Sequence, residues 1–308
     1  MTHTPMNELA ASTAAVVVVY RLAVDLTATL QALRQAVGRV LVVDNHELGH
    51  PQVAALARQF NVDCLHAGNV GGLAGAYNRA LEWLRIHAPQ TRQVVFLDED
   101  SDPAPLHALL RDEATGRTLA QPQTAALAPA YRDRATGLRG RYIRLGRYRL
   151  AFNPREFSDL RAVAFVINSM SVWRIQALRR IGPFNEGLAI DHVDTEYCLR
   201  ARHLGFSLYV NGAFEFAHSI GERRKYRILG MEVQAGGHSP ERRYMIARNT
   251  VWLARAWAWR EPAFAALCLA RLAYEAVGVL MVEDRVAAKL AALSRGAASG
   301  LVARQRPA

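Results

Sequence analysis

Ala14-Ala15-Val16-Val17-Val18-Val19-Tyr20 is an unbroken apolar run, β-branched along its centre and closed by a tyrosine. A strand with one wet face alternates apolar and polar residues. A run without alternation is the pattern of a strand covered on both faces, as in a parallel sheet. Parallel strands need a crossover, so a helix is expected next. Asp25 offers an N-cap for it, Leu26, Leu30, Leu33 and Val37 recur at helical spacing, and Gly38 offers a stop. Residues 40–43 then read as a second strand, 53–60 as a helix, 62–65 as a short strand, 73–87 as a long helix and 94–97 as a strand. This βαβ series predicts an α/β fold, a Rossmann-like, mostly parallel sheet with right-handed crossovers and helices on both faces.

The rest of the chain bounds what such a sheet serves. With 308 residues, 51% of them hydrophobic, the chain can bury a large core, which excludes disorder throughout. A net charge of +11 favours anionic surroundings, whether phosphate-bearing ligands, acidic phospholipid or nucleic acid, and does not choose among them. Cys64, Cys198 and Cys268 stand far apart, at neither metal-ligand nor redox spacing, and a reducing cytosol is their simplest setting. The first 13 residues lack the basic start and apolar run of a secretion signal, and residues 16–19 are too few to span a bilayer. Residues 262–282 are largely apolar, but Arg271 and Glu275 inside them argue against a spanning helix and leave a surface-bound one. Between residues 132 and 161 the periodicity fades and arginines gather among Gly and Tyr, which reads as a long basic excursion, either solvated or facing an acceptor, before a strand at 162–167.

Ligands of open parallel sheets collect at the carboxyl ends of the strands, and Tyr20-Arg21, Asp44-Asn45 and Asp98-Glu99-Asp100 fall there. Asp98 and Asp100 stand at i and i+2 after a strand, hard oxygen ligands suited to Mg²⁺ or Mn²⁺; the competing reading is an acidic turn with Ser101 or Asp102 capping the next helix. The run Gly68-Asn69-Val70-Gly71-Gly72-Leu73-Ala74-Gly75 opens a helix. Either its amides approach phosphate or its glycines permit tight packing. It lacks the dinucleotide-binding glycine spacing. In Ile190-Asp191-His192-Val193-Asp194-Thr195-Glu196-Tyr197-Cys198-Leu199-Arg200, Val193, Tyr197, Ala201 and Leu204 mark the apolar helix face, so Asp194 and Glu196 project elsewhere. Asp191 reads as the N-cap. A helix N-terminus stabilises a carboxylate and weakens it as a base, so a catalytic Asp194 needs compensating desolvation.

Together, Val-Val-Asp44-Asn45, Asn69-Val-Gly-Gly-Leu-Ala-Gly-Ala-Tyr-Asn78, Phe-Leu-Asp98-Glu-Asp100-Ser, Phe165-Val-Ile-Asn-Ser, Phe184-Asn-Glu and Asp191-His-Val-Asp194-Thr-Glu-Tyr-Cys-Leu-Arg resemble the family 2 glycosyltransferases. Within them the likeness is greatest to the bacterial rhamnosyltransferase group. It covers residues 14–250, leaving 251–308 as a helical appendage. The resemblance implies a GT-A fold, a divalent cation and inverting transfer of a sugar from a nucleotide-sugar, dTDP-L-rhamnose, to a glycan or lipid-linked acceptor during cell-surface polysaccharide synthesis. It places Asp98 and Asp100 at the Asp-x-Asp position and His218 where relatives supply a third metal ligand. Without the resemblance, His218 reads as a structural histidine. Arg21, Asp44, Asn45 and Asn69 match nucleotide-side positions, and Asp194 matches the general base.

This chain departs from the family in two places. His46-Glu47 follows Asn45 where relatives show Gly-Ser, and Met170 stands where Gly is usual after Asn168-Ser169, a change expected to narrow the acceptor pocket. Rival readings are a UDP-sugar donor, carrying galactofuranose or N-acetylglucosamine, and a non-catalytic binder of nucleotide-sugars or nucleic acid. Acidic residues in a cleft repel phosphate unless a cation intervenes, which disfavours nucleic acid. The expected location is cytoplasmic, with peripheral contact at the inner membrane face through Trp252, Trp257 and Trp259 among Arg248, Arg255 and Arg260.

Overall fold

A computed structural model of the protein describes residues 7–218, 224–228, 231–235 and 237–303; the first six residues, part of the segment read for a signal, lie outside it. After α1 (Glu8–Ala11) the chain alternates β1 (Thr13–Val19), α2 (Thr27–Ala36), β2 (Arg39–Asp44), α3 (Pro51–Gln59), β3 (Asp63–His66), α4 (Gly72–His87) and β4 (Gln93–Asp98). Next come α5 (Leu106–Leu109), α6 (Glu113–Ala120), β5 (Thr124–Asp133), β6 (Ile143–Leu145), β7 (Leu150–Phe152), β8 (Leu160–Val163), β9 (Val172–Arg174), α7 (Ile175–Ile181) and α8 (Val193–His203). The chain continues with β10 (Ser207–His218), β11 (Arg224–Ile228), β12 (Met231–Ala235), α9 (Pro240–Trp257), α10 (Pro262–Val282) and α11 (Val286–Val302).

Eight strands form one sheet in the order β3-β2-β1-β4-β9-β5-β10-β8. The pairs β1–β2, β1–β4, β2–β3 and β5–β10 are parallel, and β9 and β8 run against their neighbours. The fold is thus the expected α/β one, a mainly parallel sheet flanked by helices. All of β1 is buried. Its alternate residues divide between the faces: Val16 and Val18 pack with Tyr77, Ala80 and Leu84 of α4, while Val17 and Val19 pack with Leu30 and Leu33 of α2. Each valine so enclosed contributes about 1.5–3 kcal/mol. The two faces explain why this run shows no alternation.

Several boundaries differ from the reading of the sequence. Asp25 accepts the Thr27 N–H at 2.9 Å but stands one residue ahead of the cap position of α2, which Leu26 fills. β8 ends at Val163, short of residue 167, and pairs antiparallel with β10. The basic excursion is not simply solvated. It carries the β6–β7 hairpin, and Arg139 is buried, donating to the carbonyls of Phe157 and Gly212 and pairing with Glu215 at 3.0 Å.

Ser239 caps α9, its hydroxyl accepting the Arg242 N–H, and the helix runs unbroken through residue 250. Trp252, Leu253 and Trp257 join the main core, and Ala247 packs with Val279 of α10 and Leu293 of α11. A buried ion network ties the three helices: Arg243 pairs with Glu275 and Glu283, and Lys289 pairs with Glu283 at 2.9 Å. With 21 residues and a mean hydropathy of 1.8, α10 is long and apolar enough to cross a bilayer, yet its inner face packs on the protein through Phe264, which meets the Phe165 ring at 5.7 Å, and Cys268. Trp259, Leu269, Val277, Leu280 and Met281 are exposed.

Candidate active site at the carboxyl edge of the sheet

Strand register assembles the site. Val18 lies opposite Asp98, Val19 opposite Asp44, and Asp44 opposite His66, so four parallel strands end together. The chain moves outward from β1 through β2 to β3 and then returns to β4 on the other side. The crevice between β1 and β4 is therefore the topological switch point where such sheets take ligands. His218 ends β10 opposite Asp133 of β5, farther along the same edge.

The three acids after β4 have different tasks. Glu99 turns back to accept the backbone N–H groups of Tyr20, Arg21 and Leu22 at 3.2, 3.3 and 2.9 Å, which holds the β1–α2 loop. Ser101 accepts the Asp98 N–H at 2.9 Å and meets the Ser169 hydroxyl at 2.5 Å, tightening the turn. This clamp replaces the capping role expected of Ser101. Asp102 only accepts the Ala104 N–H, and α5 starts beyond it. Among the described residues, no hydrogen bond or ion pair engages the side-chain oxygens of Asp98 or Asp100. Burial, then the charges of Asp100, Asp194 and Glu99, pushes the Asp98 carboxyl from 3.8 up to about 7.

Asp194 reaches the same place from α8. Its own carboxyl is raised, first by burial, against the lowering effects of the Thr195 N–H bond and the charge of Arg271. That burial supplies the desolvation a base at a helix start requires. Tyr77, buried beside both Asp98 and Asp194, has its hydroxyl pushed well above its ordinary value. The His218 ring is lowered by burial and feels the opposing charge of Asp100, and its Nδ1 is buried without a hydrogen-bond partner. Mutually repelling carboxylates and an orphaned imidazole nitrogen suit a divalent cation. Among the described residues, however, no three His, Cys, Asp or Glu side chains are gathered closely enough to hold one.

The residues matched to the nucleotide side do something more local. Asp44 and Asn45 are buried. Asp44 accepts the N–H groups of His46 and His50, while Asn45 accepts the Asn69 N–H at 3.0 Å and donates to the Asn69 side chain at 3.2 Å. These polar residues shape the loops rather than stand open at the strand ends. Arg21 is exposed, its guanidinium 5.7 Å from the Tyr20 ring centre. In the glycine run, Gly71 and Gly72 take left-handed backbone, and a Cβ on either would strike Glu186 or the Ala189 carbonyl. The Leu73 amide is spent on Ala189, so packing is the role these glycines fill.

No family model matches the chain. Over 75 residues it is 37% identical to the curated dTDP-rhamnosyl transferase RfbF of Shigella flexneri, 24% of each chain. The chain thus spans about a quarter of that relative. Its likeness is to the family 2 glycosyltransferases, rhamnosyltransferase-like. Among solved structures it is similar to GalNAc-T7 with UDP, GalNAc and Mn²⁺ (TM-score 0.49, 13% identity, 71% of this chain and 44% of that one). It is also similar to S. aureus TarS (TM-score 0.45, 16% identity, 94% and 43%).

Two expectations fail on the geometry of the chain. Met170 does not narrow a pocket: it is fully buried in the core against the α2 side, at φ 63°, in the left-handed region that glycine tolerates best. Asp191 is not the cap of α8. It and His192 both take left-handed backbone, the helix starts at Val193, and Asp191 pairs with Arg242 at 3.2 Å. Glu196 does leave the apolar stripe but points into the protein, fully buried against Arg200 at 2.8 Å.

Residues on α9 escape the sequence reading. Asn249 donates to the carbonyls of Leu188, Ile190 and Asp191 at 3.0, 2.8 and 3.1 Å, and Thr250 meets His192 Nε2 at 2.8 Å. Together with Arg242 they hold the strained turn that presents Asp194. An Asn-Thr pair inside an apolar helical repeat, where both residues are poor helix formers, is the signal that could have found them. Cavities of about 250 Å³ (Asn78, Leu81, Leu178, Pro183) and about 600 Å³ (Glu8, Arg92, Gln93, Arg174) lie away from Asp98 and Asp194.

Proposed function

We propose that this chain is an inverting, metal-dependent glycosyltransferase that moves L-rhamnose from dTDP-L-rhamnose to a hydroxyl of a glycan or lipid-linked acceptor in cell-surface polysaccharide synthesis. The observation that carries this reading is the convergence of Asp194, raised by burial, on Asp98 and Asp100 at the switch point. The partial likeness to a dTDP-rhamnosyl transferase supports the donor. Asp98, Asp100 and His218 would hold Mg²⁺ or Mn²⁺, which when bound neutralises the departing nucleoside diphosphate. Asp194 accepts the proton of the acceptor hydroxyl as that oxygen bonds to the anomeric carbon and the carbon–oxygen bond to the diphosphate breaks, which inverts the centre. Asp44, Asn45 and Asn69 hold the loops that meet the nucleotide, and Arg21 faces it. The exposed face of α10, with Trp259, rests the protein on the inner membrane surface.

A screen of nucleotide-sugars for donor hydrolysis and transfer, with and without Mn²⁺ or Mg²⁺, tests the reading. Cation-dependent turnover of dTDP-L-rhamnose is expected. Turnover of only UDP-galactofuranose or UDP-N-acetylglucosamine would replace the donor. Binding without any turnover would replace the enzyme with a nucleotide-sugar binder.

A further inference from the structure

From the basic excursion after β5, Arg134 reaches the carboxylate edge. β9 runs against both β4 and β5, so those two strands point the same way, and Arg134 follows β5 directly. Its backbone N–H donates to the His218 carbonyl at 3.0 Å, and its Nη2 donates to the Asp100 carbonyl at 3.2 Å. Arg134 thus bridges two of the segments that carry the candidate cation ligands. The turn beneath it is fixed. Asp133 accepts the Ala135 N–H at 3.0 Å and the Thr136 hydroxyl at 2.9 Å, and the Gly137 N–H returns to the Asp133 carbonyl at 2.8 Å. Neighbouring arginines are neutralised, since Arg132 and Arg139 both pair with Glu215. Arg134 is not: among the described residues its guanidinium makes no ion pair, and its one hydrogen bond goes to a carbonyl, which leaves the positive charge intact. The side chain is exposed, so the rest of its planar fork, which matches phosphate oxygens, is open to a ligand.

We propose that Arg134 binds the diphosphate of the donor beside Asp100, a hold on the phosphates that needs no cation. The proposal rests on the transferase reading and adds a residue to its donor site. Asp98 and Asp100 by themselves repel phosphate, and a guanidinium bonded to the Asp100 carbonyl offsets that repulsion. The two hydrogen bonds of Arg134 have already fixed it there, so little further order is lost when a phosphate arrives. As the bond to the anomeric carbon breaks, the leaving diphosphate gains negative charge, and a cation in this place stabilises that change.

An acceptor phosphate offers the same chemistry, so the test has two arms. Full-length wild type, Arg134→Gln and Arg134→Lys are titrated in EDTA with dTDP, with thymidine as the phosphate-free control, and separately with farnesyl diphosphate. EDTA removes any cation's share of the binding. Wild type should bind dTDP more tightly than thymidine. Arg134→Gln should weaken dTDP by about 10- to 100-fold, with Arg134→Lys intermediate because it keeps the charge and loses the fork. Thymidine and farnesyl diphosphate should bind all three proteins alike. Weakened farnesyl diphosphate with unchanged dTDP, or equal weakening of both, would overturn the donor assignment. Unchanged dTDP in Arg134→Gln, a parallel loss of thymidine, or wild-type dTDP binding no tighter than thymidine would overturn the phosphate hold. Arg134 is exposed, so the variants should melt with the wild type, and Arg134→Lys carries the test if Arg134→Gln folds poorly. The binding arms need no turnover. A chain that fails the donor screen yet loses dTDP in Arg134→Gln keeps the phosphate site and loses the transferase reading. One that passes the screen with dTDP binding unchanged keeps that reading and loses the role of Arg134.

Discussion

Asp98→Asn removes one of several repelling carboxylates while keeping the side chain's shape. The Asp98 carboxyl is raised from 3.8 to about 7, so the folded protein resists its ionisation. That penalty is absent below the unfolded value near pH 4, grows between pH 4 and 7, and is complete above pH 7. Three pKa units correspond to a ceiling of about 4 kcal/mol. Because Asp98 is only half-buried, solvent screening reduces this to roughly 1–2 kcal/mol. In EDTA at pH 8, Asp98→Asn should therefore melt above the wild type, by about 2–6 °C for a chain of this size. At pH 4 the difference should vanish. Mn²⁺ should reverse the order at pH 8, since a cation at 100 times its dissociation constant stabilises the wild type by about 2.7 kcal/mol and the variant much less. Differential scanning fluorimetry at pH 4, 6 and 8, in EDTA and in Mn²⁺, reads all of this. A variant that melts below wild type at pH 8 in EDTA, or that gains as much from Mn²⁺, refutes the picture of a strained, cation-seeking carboxylate.

Asp194→Asn should lower transfer by roughly 10²–10⁴-fold with donor affinity nearly unchanged; wild-type turnover should rise with pH along an acid limb above the ordinary carboxylate range, because the raised Asp194 must be ionised to act. Near-normal turnover, or a greater loss in Asp191→Asn, would move the base elsewhere. Asn249→Leu should cost about 2–4 kcal/mol and speed amide exchange around residues 188–193, since carbonyls there lose their donor; unchanged exchange in that turn would sink the clamp. Glu196→Gln leaves Arg200 buried without a counter-charge and should cost about 3–5 kcal/mol in denaturant titrations, with no change in donor binding. Co-sedimentation with anionic vesicles at low salt should fall several-fold on Trp259→Ser, and equal binding by the variant would remove Trp259 from the contact.

What depends on neighbours along the chain is legible in the order of residues. The unbroken run of β1 announced a strand covered on both faces, the leucine spacing after Asp25 announced α2, and acids after β4 fell at the ligand edge because parallel strands point their carboxyl ends the same way. What each polar group does there emerges when distant segments pack against it. Glu99 stands between the two candidate ligands in sequence, but holds the β1–α2 loop because β1 ends beside β4. Asp44 and Asn45 look like open ligand contacts, but their hydrogen bonds go to loops that close over β2. Asp191 looks like a cap until Arg242, from a helix far along the chain, takes its carboxylate. A carboxylate's role is set by its desolvation and by the donors and charges around it, and those are supplied by segments whose approach no local pattern encodes.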